Sequence, residues 1–142
     1  MSMGHSPSGH RSLPHTADAQ VEAWAPTREA CIAEAVLGSI ALFLDTRESV
    51  PRGTHAFHVE EEQDEDLLVA VLDEIVYLLD TAGEVPLDAT VKARGKRMDV
   101  LFRTAPARAL PRVGAVPKGV SLHDLRFGPA EAGWSCRVTW DV

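Results

Sequence analysis

The segment DEDLLVAVLDEIVYLLDTAG, residues 64–83, decides the fold of this chain. Its apolar residues recur at spacings of three and four, and so form one stripe along a helix: Leu67, Leu68, Val71, Leu72, Ile75, Leu78 and Leu79. Asp64 is a natural N-cap, and Gly83 can adopt the left-handed conformation that ends a helix. The pattern predicts a helix over about 64–82 whose stripe is buried in a core.

Two strands and a second helix are predicted upstream of this segment. Residues 19–24 alternate with the period of a half-buried strand. Thr27 can then cap a helix, because the residues that follow it repeat an apolar face at helical spacing as far as Phe43. Residues 55–60 alternate again and predict another strand.

Four strands are predicted downstream, at 85–93, 98–102, 119–127 and 134–142. Gly95 is the turn residue between the first two, and a change of phase around Asp124 indicates a bulge or kink in the third. Strands that follow helices in this way favour an α+β domain. We expect two helices packed on one face of a largely antiparallel, mixed or partly closed sheet of about six strands.

Composition indicates one globular domain. The chain has 142 residues, of which 45% are hydrophobic, enough for a genuine core. Residues 1–12 are rich in Ser, Gly and His and carry little to bury, so they predict a disordered leader in front of a single domain at 13–142. Cys31 and Cys136 lie in apolar periodic segments without CxxC spacing, which predicts two core thiols and no disulfide.

The charge balance and hydropathy restrict the function. A formal net charge of -7 argues against a protein that binds nucleic acid through general phosphate attraction, so any role near RNA is expected to be indirect. No apolar run approaches the length of a membrane span, and no hydrophobic signal core stands near the start. We therefore expect a cytoplasmic protein without a membrane partner.

The two ends of the chain carry the candidate site. His15-Thr16-Ala17-Asp18 stands near the start, and the last strand ends in Asp141 and Val142. If both ends meet, Asp18, Asp141 and the terminal carboxylate of Val142 converge, and such groups repel each other unless a cation lies between them. Oxygen ligands suit a hard ion such as calcium or magnesium, which predicts a small metal site. The alternative is structural: Asp18 caps a turn and His15 binds a backbone carbonyl.

Catalytic motifs are scarce. The sequence has no GxxxxGK[ST], no GxGxxG after a strand, no HExxH and no GxSxG. Ser121 and His123 alternate onto one strand face, but they would be neighbours there in any strand, so they are a weak case for serine hydrolysis. A metal-dependent hydrolase is a further alternative, although the candidate metal site lacks an obvious general base beyond its own ligands.

Four segments resemble the archease family in order and spacing: HTADAQVEAWAPTREACIAEAVLGSIALFLD at 15–45, LLVAVLDEIVYLLDT at 67–81, PKGVSLHDLRF at 117–127 and WSCRVTWDV at 134–142. The likeness spans essentially the whole chain after residue 12. It implies a small α+β protein that is not a ligase but assists an RtcB-type RNA-splicing ligase, which joins RNA ends in tRNA splicing and repair with GTP and manganese. Proteins of this family promote the ligase's guanylylation and multiple turnover.

The resemblance also implies roles for individual residues. It assigns a divalent ion to Asp18, Asp141 and Val142, with calcium expected first and magnesium or manganese as alternatives, and it assigns His15 and Lys118 to activation of or contact with the ligase. The residues that flank Lys118 here differ from the family's usual ones. The alternative function is a small metal-binding, chaperone-like or interaction module that has no ligase partner.

Overall fold

The computed structural model describes residues 7–13 and 19–142. Its strands are β1 Gly9–Leu13, β2 Ala19–Ala25, β3 Gly53–Glu60, β4 Glu84–Arg94, β5 Arg97–Pro106, β6 Gly119–Ala130 and β7 Gly133–Asp141. The helices are α1 Arg28–Ala41 and α2 Asp64–Ala82, with a short 3-10 turn at Ala107–Ala109.

Every pairing between these strands is antiparallel, in a four-stranded sheet of order β1-β2-β7-β6 and a three-stranded sheet of order β3-β5-β4. The predicted α+β class and antiparallel pairing are confirmed. The described strands form two sheets of seven strands in all, where the sequence predicted one sheet of about six.

The additional strand is β1, and it corrects the prediction of a disordered leader over residues 1–12 from Gly9 onward. Residues 1–6 of that predicted leader lie outside the described residues. Gly9–Leu13 forms the edge of the four-stranded sheet, with Gly9 opposite Trp24. An added Cβ at Gly9 would lie 2.6 Å from Trp24 Cζ2, so the glycine permits this close approach. His10 Nδ1 lies 2.9 Å from Glu34 Oε1 on α1. The domain therefore begins before residue 13, because backbone pairing and the polar contacts of His10 and Arg11 hold a strand that has no apolar pattern.

Of the three helix ends that the sequence assigned to a residue, two agree with the structure. The Ala30 amide donates to Thr27 Oγ1 at 3.1 Å, which confirms Thr27 as the N-cap of α1. Helix α2 ends at Gly83, whose φ is 66°. Its N-cap is Gln63 rather than the predicted Asp64, because Asp64 lies in the first turn and accepts a hydrogen bond of 2.8 Å from Arg28 Nη1.

The core lies between the helices and the two sheets. Helix α1 packs against β2 and β7 of one sheet and against β4 of the other, while α2 contacts β6, β3 and β4. The predicted stripe of α2 is buried at six of its seven positions, namely Leu67, Leu68, Val71, Leu72, Ile75 and Leu78, and Leu79 is partly buried. Across the described ranges, neither helix is long and apolar enough to cross a membrane.

The β6–β7 turn gives a first testable prediction. Gly133 has a φ of 139°, and a Cβ there would run into the Ala25 carbonyl oxygen and lie 2.8 Å from Pro26 Cα. We expect Gly133→Ala to lower the free energy of unfolding by about 2–3 kcal/mol, measured by urea denaturation. Gly128→Ala in the same hairpin is the control, since its Cβ would meet nothing within 4 Å. Equal losses in the two variants would contradict this account.

Candidate functional site at the end of β7

The end of β7 lies between the beginnings of two other strands. Ala19 is opposite Trp140 on one side, and Gly119 is opposite Asp141 on the other. The Lys118 amide extends the second ladder by donating to the Asp141 carbonyl at 2.7 Å. The backbone therefore brings the start of β2, the start of β6 and the end of β7 together at one end of the four-stranded sheet, where the strands begin or stop.

Trp140 fixes this strand end to helix α1. Its side chain is fully buried, and its indole Nε1 donates to Ser39 Oγ at 2.8 Å. The Ser39 hydroxyl in turn donates to the Ala35 carbonyl at 2.7 Å, so this buried polar pair is satisfied. Since successive strand residues point to opposite faces, burial of Trp140 directs Asp141 away from the core. Asp141 is exposed, as the alternation in the sequence predicted.

The side chains of Asp141 and Lys118, at this end of the sheet, are available to a ligand. Within the part of the chain that the structure describes, the Asp141 carboxylate makes neither a hydrogen bond nor an ion pair, and the same holds for the Lys118 ammonium. Both residues are exposed, and 40% of the Val142 surface is accessible. The backbone thus joins Lys118 to Asp141 without pairing their side chains, so each charge can meet a partner from outside.

His15 and Asp18 lie outside the described residues, so their predicted places in the site stay predictions. Asp18 is bonded to Ala19, the residue opposite Trp140. Over residues 7–13 and 19–142, no three His, Cys, Asp or Glu side chains are arranged to hold a metal ion. The described carboxylate of Asp141 is of the oxygen-donor type that calcium and magnesium accept, but a complete site needs ligands beyond it.

Ser121 and His123, the weak candidates for serine hydrolysis, do not form a contact between the serine hydroxyl and the histidine ring in the structure. The Ser121 hydroxyl accepts a bond of 3.2 Å from the His123 backbone amide. The His123 side chain is 88% exposed and its ring Nε2 lies 3.4 Å from Asp124. Strand β6 shifts register between Ser121 and Arg126, and Asp124 has a φ of 61°, which confirms the predicted bulge.

The two cysteines pack against each other in the core beneath β7. Cys31 on α1 and Cys136 on β7 are both buried and both free thiols, as the sequence predicted. A hydrogen bond with the Cys31 thiol, together with burial, raises the pKa of the Cys136 thiol above its ordinary value. The nucleophilic thiolate is therefore suppressed in the folded protein.

This environment predicts slow alkylation. We expect Cys136 to resist iodoacetamide at neutral pH in the native protein, and to react readily after denaturation in guanidinium chloride, because unfolding exposes the thiol and restores its ordinary pKa. Mass spectrometry of labelled peptides measures both states. Equal labelling rates in the native and the denatured protein would contradict the buried position of Cys136.

Comparison with known proteins gives consistent matches. Residues 10–142 match the model of the Archease protein family (MTH1598/TM1083). The chain is 52% identical over 135 residues to a probable protein archease of Mycobacterium tuberculosis (strain CDC 1551 / Oshkosh), covering 95% of this chain and 75% of that protein. It is 36% identical over 134 residues to the protein archease of Thermococcus gammatolerans, covering 90% of this chain and 94% of that one.

Two solved structures share the fold. The solution structure of Methanobacterium thermoautotrophicum protein 1598 superposes with a TM-score of 0.75 at 20% identity, covering 94% of this chain and 99% of that one. The crystal structure of an archease, possible chaperone, from Thermotoga maritima gives a TM-score of 0.65 at 19% identity, covering 93% and 96%. At these identities the likeness concerns the arrangement of helices and strands alone.

Proposed function

This chain belongs to the archease family, and from that premise we propose that it is a non-catalytic protein cofactor that activates an RtcB-type RNA-splicing ligase. In this proposal it promotes the ligase's guanylylation and its multiple turnover in tRNA splicing and RNA repair. The observation that carries the proposal is the exposed carboxylate of Asp141, which has no partner among residues 7–13 and 19–142. It stands at a strand end that three neighbouring elements hold in place.

The anchoring of this strand end suits a protein that presents a group to a partner. Trp140 is bonded to Ser39, and the flanking strands β2 and β6 pair with β7 up to its last residues. A side chain on such a support is already close to its working position, so less conformational freedom is lost when the partner binds. Asp141 is thus a pre-positioned acid that can enter a pocket of the ligase.

We propose Asp18, Asp141 and Val142 as the oxygen ligands of a divalent ion. Calcium is the first candidate, with magnesium or manganese as alternatives, because all three accept oxygen donors and differ in the geometry that they require. When bound, the ion supplies positive charge that can stabilise a polyphosphate during nucleotidyl transfer. The protein's own contribution is to hold the carboxylates together and to carry them into the ligase's nucleotide pocket.

Lys118 and His15 complete the proposed contact with the ligase. The hydrogen bond between the Lys118 amide and the Asp141 carbonyl keeps Lys118 at the same end of the sheet as Asp141. Its ammonium is exposed and makes no ion pair with the described residues, so it can meet an anionic group of the nucleotide or of the ligase. His15 is three residues before Asp18 in the chain, and in this proposal it contacts the ligase beside the Asp18 carboxylate.

The direct test measures guanylylation of the RNA ligase from the same organism. The ligase is incubated with labelled GTP and manganese, with and without an equimolar amount of this protein, and the covalent ligase–GMP adduct is quantified over time. We expect faster adduct formation and more than one ligated RNA per ligase molecule when the protein is present. Identical time courses in both reactions would overturn the proposal.

The second candidate is a chaperone-like or interaction module without a ligase partner. It is suggested by the words "possible chaperone" for the Thermotoga maritima protein, which shares this fold. Its signature would be suppression of aggregation of an unrelated unfolding client, such as reduced insulin or heated citrate synthase. Suppression of client aggregation, with no effect on the ligase, would favour this function over the first.

A further inference from the structure

A row of charged side chains crosses the outer face of the four-stranded sheet, with one residue from each strand. Arg11 on β1 is opposite Glu22 on β2, Glu22 is opposite Arg137 on β7, and Arg137 is opposite Arg126 on β6. We call these four residues the arginine row. It faces away from the core, because Cys136, the neighbour of Arg137 along the strand, is buried. Three arginines thus stand beside one glutamate in a protein of net charge -7.

The single carboxylate of the row is already engaged. Glu22 Oε1 lies 2.6 Å from Arg11 Nη2, and Glu22 Oε2 lies 3.5 Å from Arg137 Nη2. Arg126 has no anionic partner among the described residues, and it lies directly opposite Arg137. Like charges in directly opposed positions destabilise a sheet. Positive charge is therefore concentrated at Arg126 and Arg137, and no described acid compensates it fully.

A cavity of about 450 Å³ opens beside this pair. It is lined by Glu22, Ala23, Trp24, Arg126, Ser135, Cys136 and Arg137. Gly128, opposite Ser135 in the ladder, carries no side chain that could fill the space. The cavity therefore combines two guanidinium groups, the Glu22 carboxylate, one hydroxyl and an indole ring. Its size is in the range of small-molecule sites.

We propose that this cavity binds a small ligand that carries both a phosphate group and a flat aromatic ring, as a nucleotide does. Arg126 and Arg137 would hold the phosphate, since planar guanidinium groups form paired hydrogen bonds with its oxygens. Trp24 lines the cavity, with the Arg11 guanidinium already 5.9 Å from the centroid of its ring. The flat ring of the ligand would contact the part of the indole that lines the cavity, as bases stack on aromatic side chains in other proteins. The net charge of -7 disfavours a long polyanion and so favours a ligand with few phosphates.

The cavity is a separate site from the proposed ligase contact, but it opens on the same face of the sheet. Arg137 and Asp141 are four residues apart on β7, so their side chains point to the same side of the sheet, roughly 13 Å apart at the usual rise of a strand. A nucleotide bound here would therefore share the surface that carries Asp141. The proposal holds whether or not the protein activates a ligase.

Isothermal titration calorimetry with three probes tests the proposal: AMP, inorganic phosphate and adenosine. We expect AMP to bind more tightly than either of the other two, because only AMP can engage both the arginines and the indole. Arg126→Gln should weaken AMP binding about tenfold or more, as expected when a hydrogen bond between charged groups is lost. The matched control is Arg103→Gln, an exposed arginine on β5 of the other sheet, which should bind AMP as the wild type does.

Thermal unfolding separates this role from a structural one. Without ligand, Arg126→Gln should unfold at the same temperature as the wild type or higher, because the substitution removes the opposition between two like charges. AMP should raise the unfolding temperature of the wild type and of Arg103→Gln but not that of Arg126→Gln.

Three results would overturn the proposal. The first is absence of AMP binding at millimolar concentration, and the second is equal weakening by Arg126→Gln and Arg103→Gln. The third is binding of a glutamate-rich peptide, dependent on Arg126, without binding of AMP, since that result would assign the arginine row to an acidic protein segment.

Discussion

Asp18→Ala and Asp141→Ala are each expected to abolish the stimulation of ligase guanylylation and to leave the fold intact. Asp141 is exposed and its carboxylate has no partner among the described residues, so its removal leaves no buried polar group unsatisfied. Surface substitutions of this kind change the free energy of unfolding by about 0.5 kcal/mol or less. The functional loss is large because each variant removes one of the few oxygen ligands proposed for the divalent ion.

The guanylylation assay with each variant measures this loss, and circular dichroism with urea denaturation checks the fold. Asp80→Ala is the matched control, because Asp80 is also exposed but belongs to helix α2 and not to the strands of the four-stranded sheet. It removes the same charge and should stimulate the ligase as the wild type does. Full stimulation by both Asp18→Ala and Asp141→Ala would refute the role of the acidic site.

Trp140→Ala is expected to lower the free energy of unfolding by about 3–5 kcal/mol, the usual range when a large buried aromatic side chain is truncated. Trp140 is the largest fully buried side chain in the described structure, and it joins β7 to α1 through its bond to Ser39. The substitution leaves a cavity beneath the strand that carries Asp141. Urea denaturation, followed by the fluorescence of the remaining tryptophans, measures the loss.

Trp140→Phe divides this effect into its parts. The variant keeps an aromatic ring in the core but removes the indole N–H that donates to Ser39. We expect a loss of about 1–2 kcal/mol, which represents the hydrogen bond and part of the volume. A loss in Trp140→Phe as large as that in Trp140→Ala would show that packing of the ring contributes little, and would contradict the buried position seen here.

Helices and strands whose own residues show a periodic apolar pattern were predicted well. The stripe of α2, the alternation of β7 and the turn at Gly95 are all local patterns, and they agree with the structure. Strand β1 was missed because its sequence, GHRSL, has no apolar period, and it is held mainly by backbone bonds to β2. The division into two sheets was also missed, since it depends on pairings between strands far apart in the chain.

The candidate site was predictable to a similar extent. Strand alternation alone oriented Asp141 away from the core, which the structure confirms. The arginine row could not be predicted, because its members come from four strands and meet only once the register between those strands is known. No local pattern indicates that Lys118 lies beside Asp141, because this placement depends on a backbone hydrogen bond between two strands. For Lys118 the prediction came from the family resemblance alone.

The hydrogen bond between Trp140 and Ser39 joins residues 101 positions apart, and the pairing of β2 with β7 is equally non-local. Closing so long a loop costs chain entropy before any contact repays it, so we expect these links to form late in folding. The hairpin of β4 and β5 joins neighbouring residues and can therefore assemble early. We expect the end of β7 that carries Asp141 to be completed after it. A chain trapped before that step would keep much of its secondary structure and still lack the arrangement of β2, β6 and β7 around Asp141.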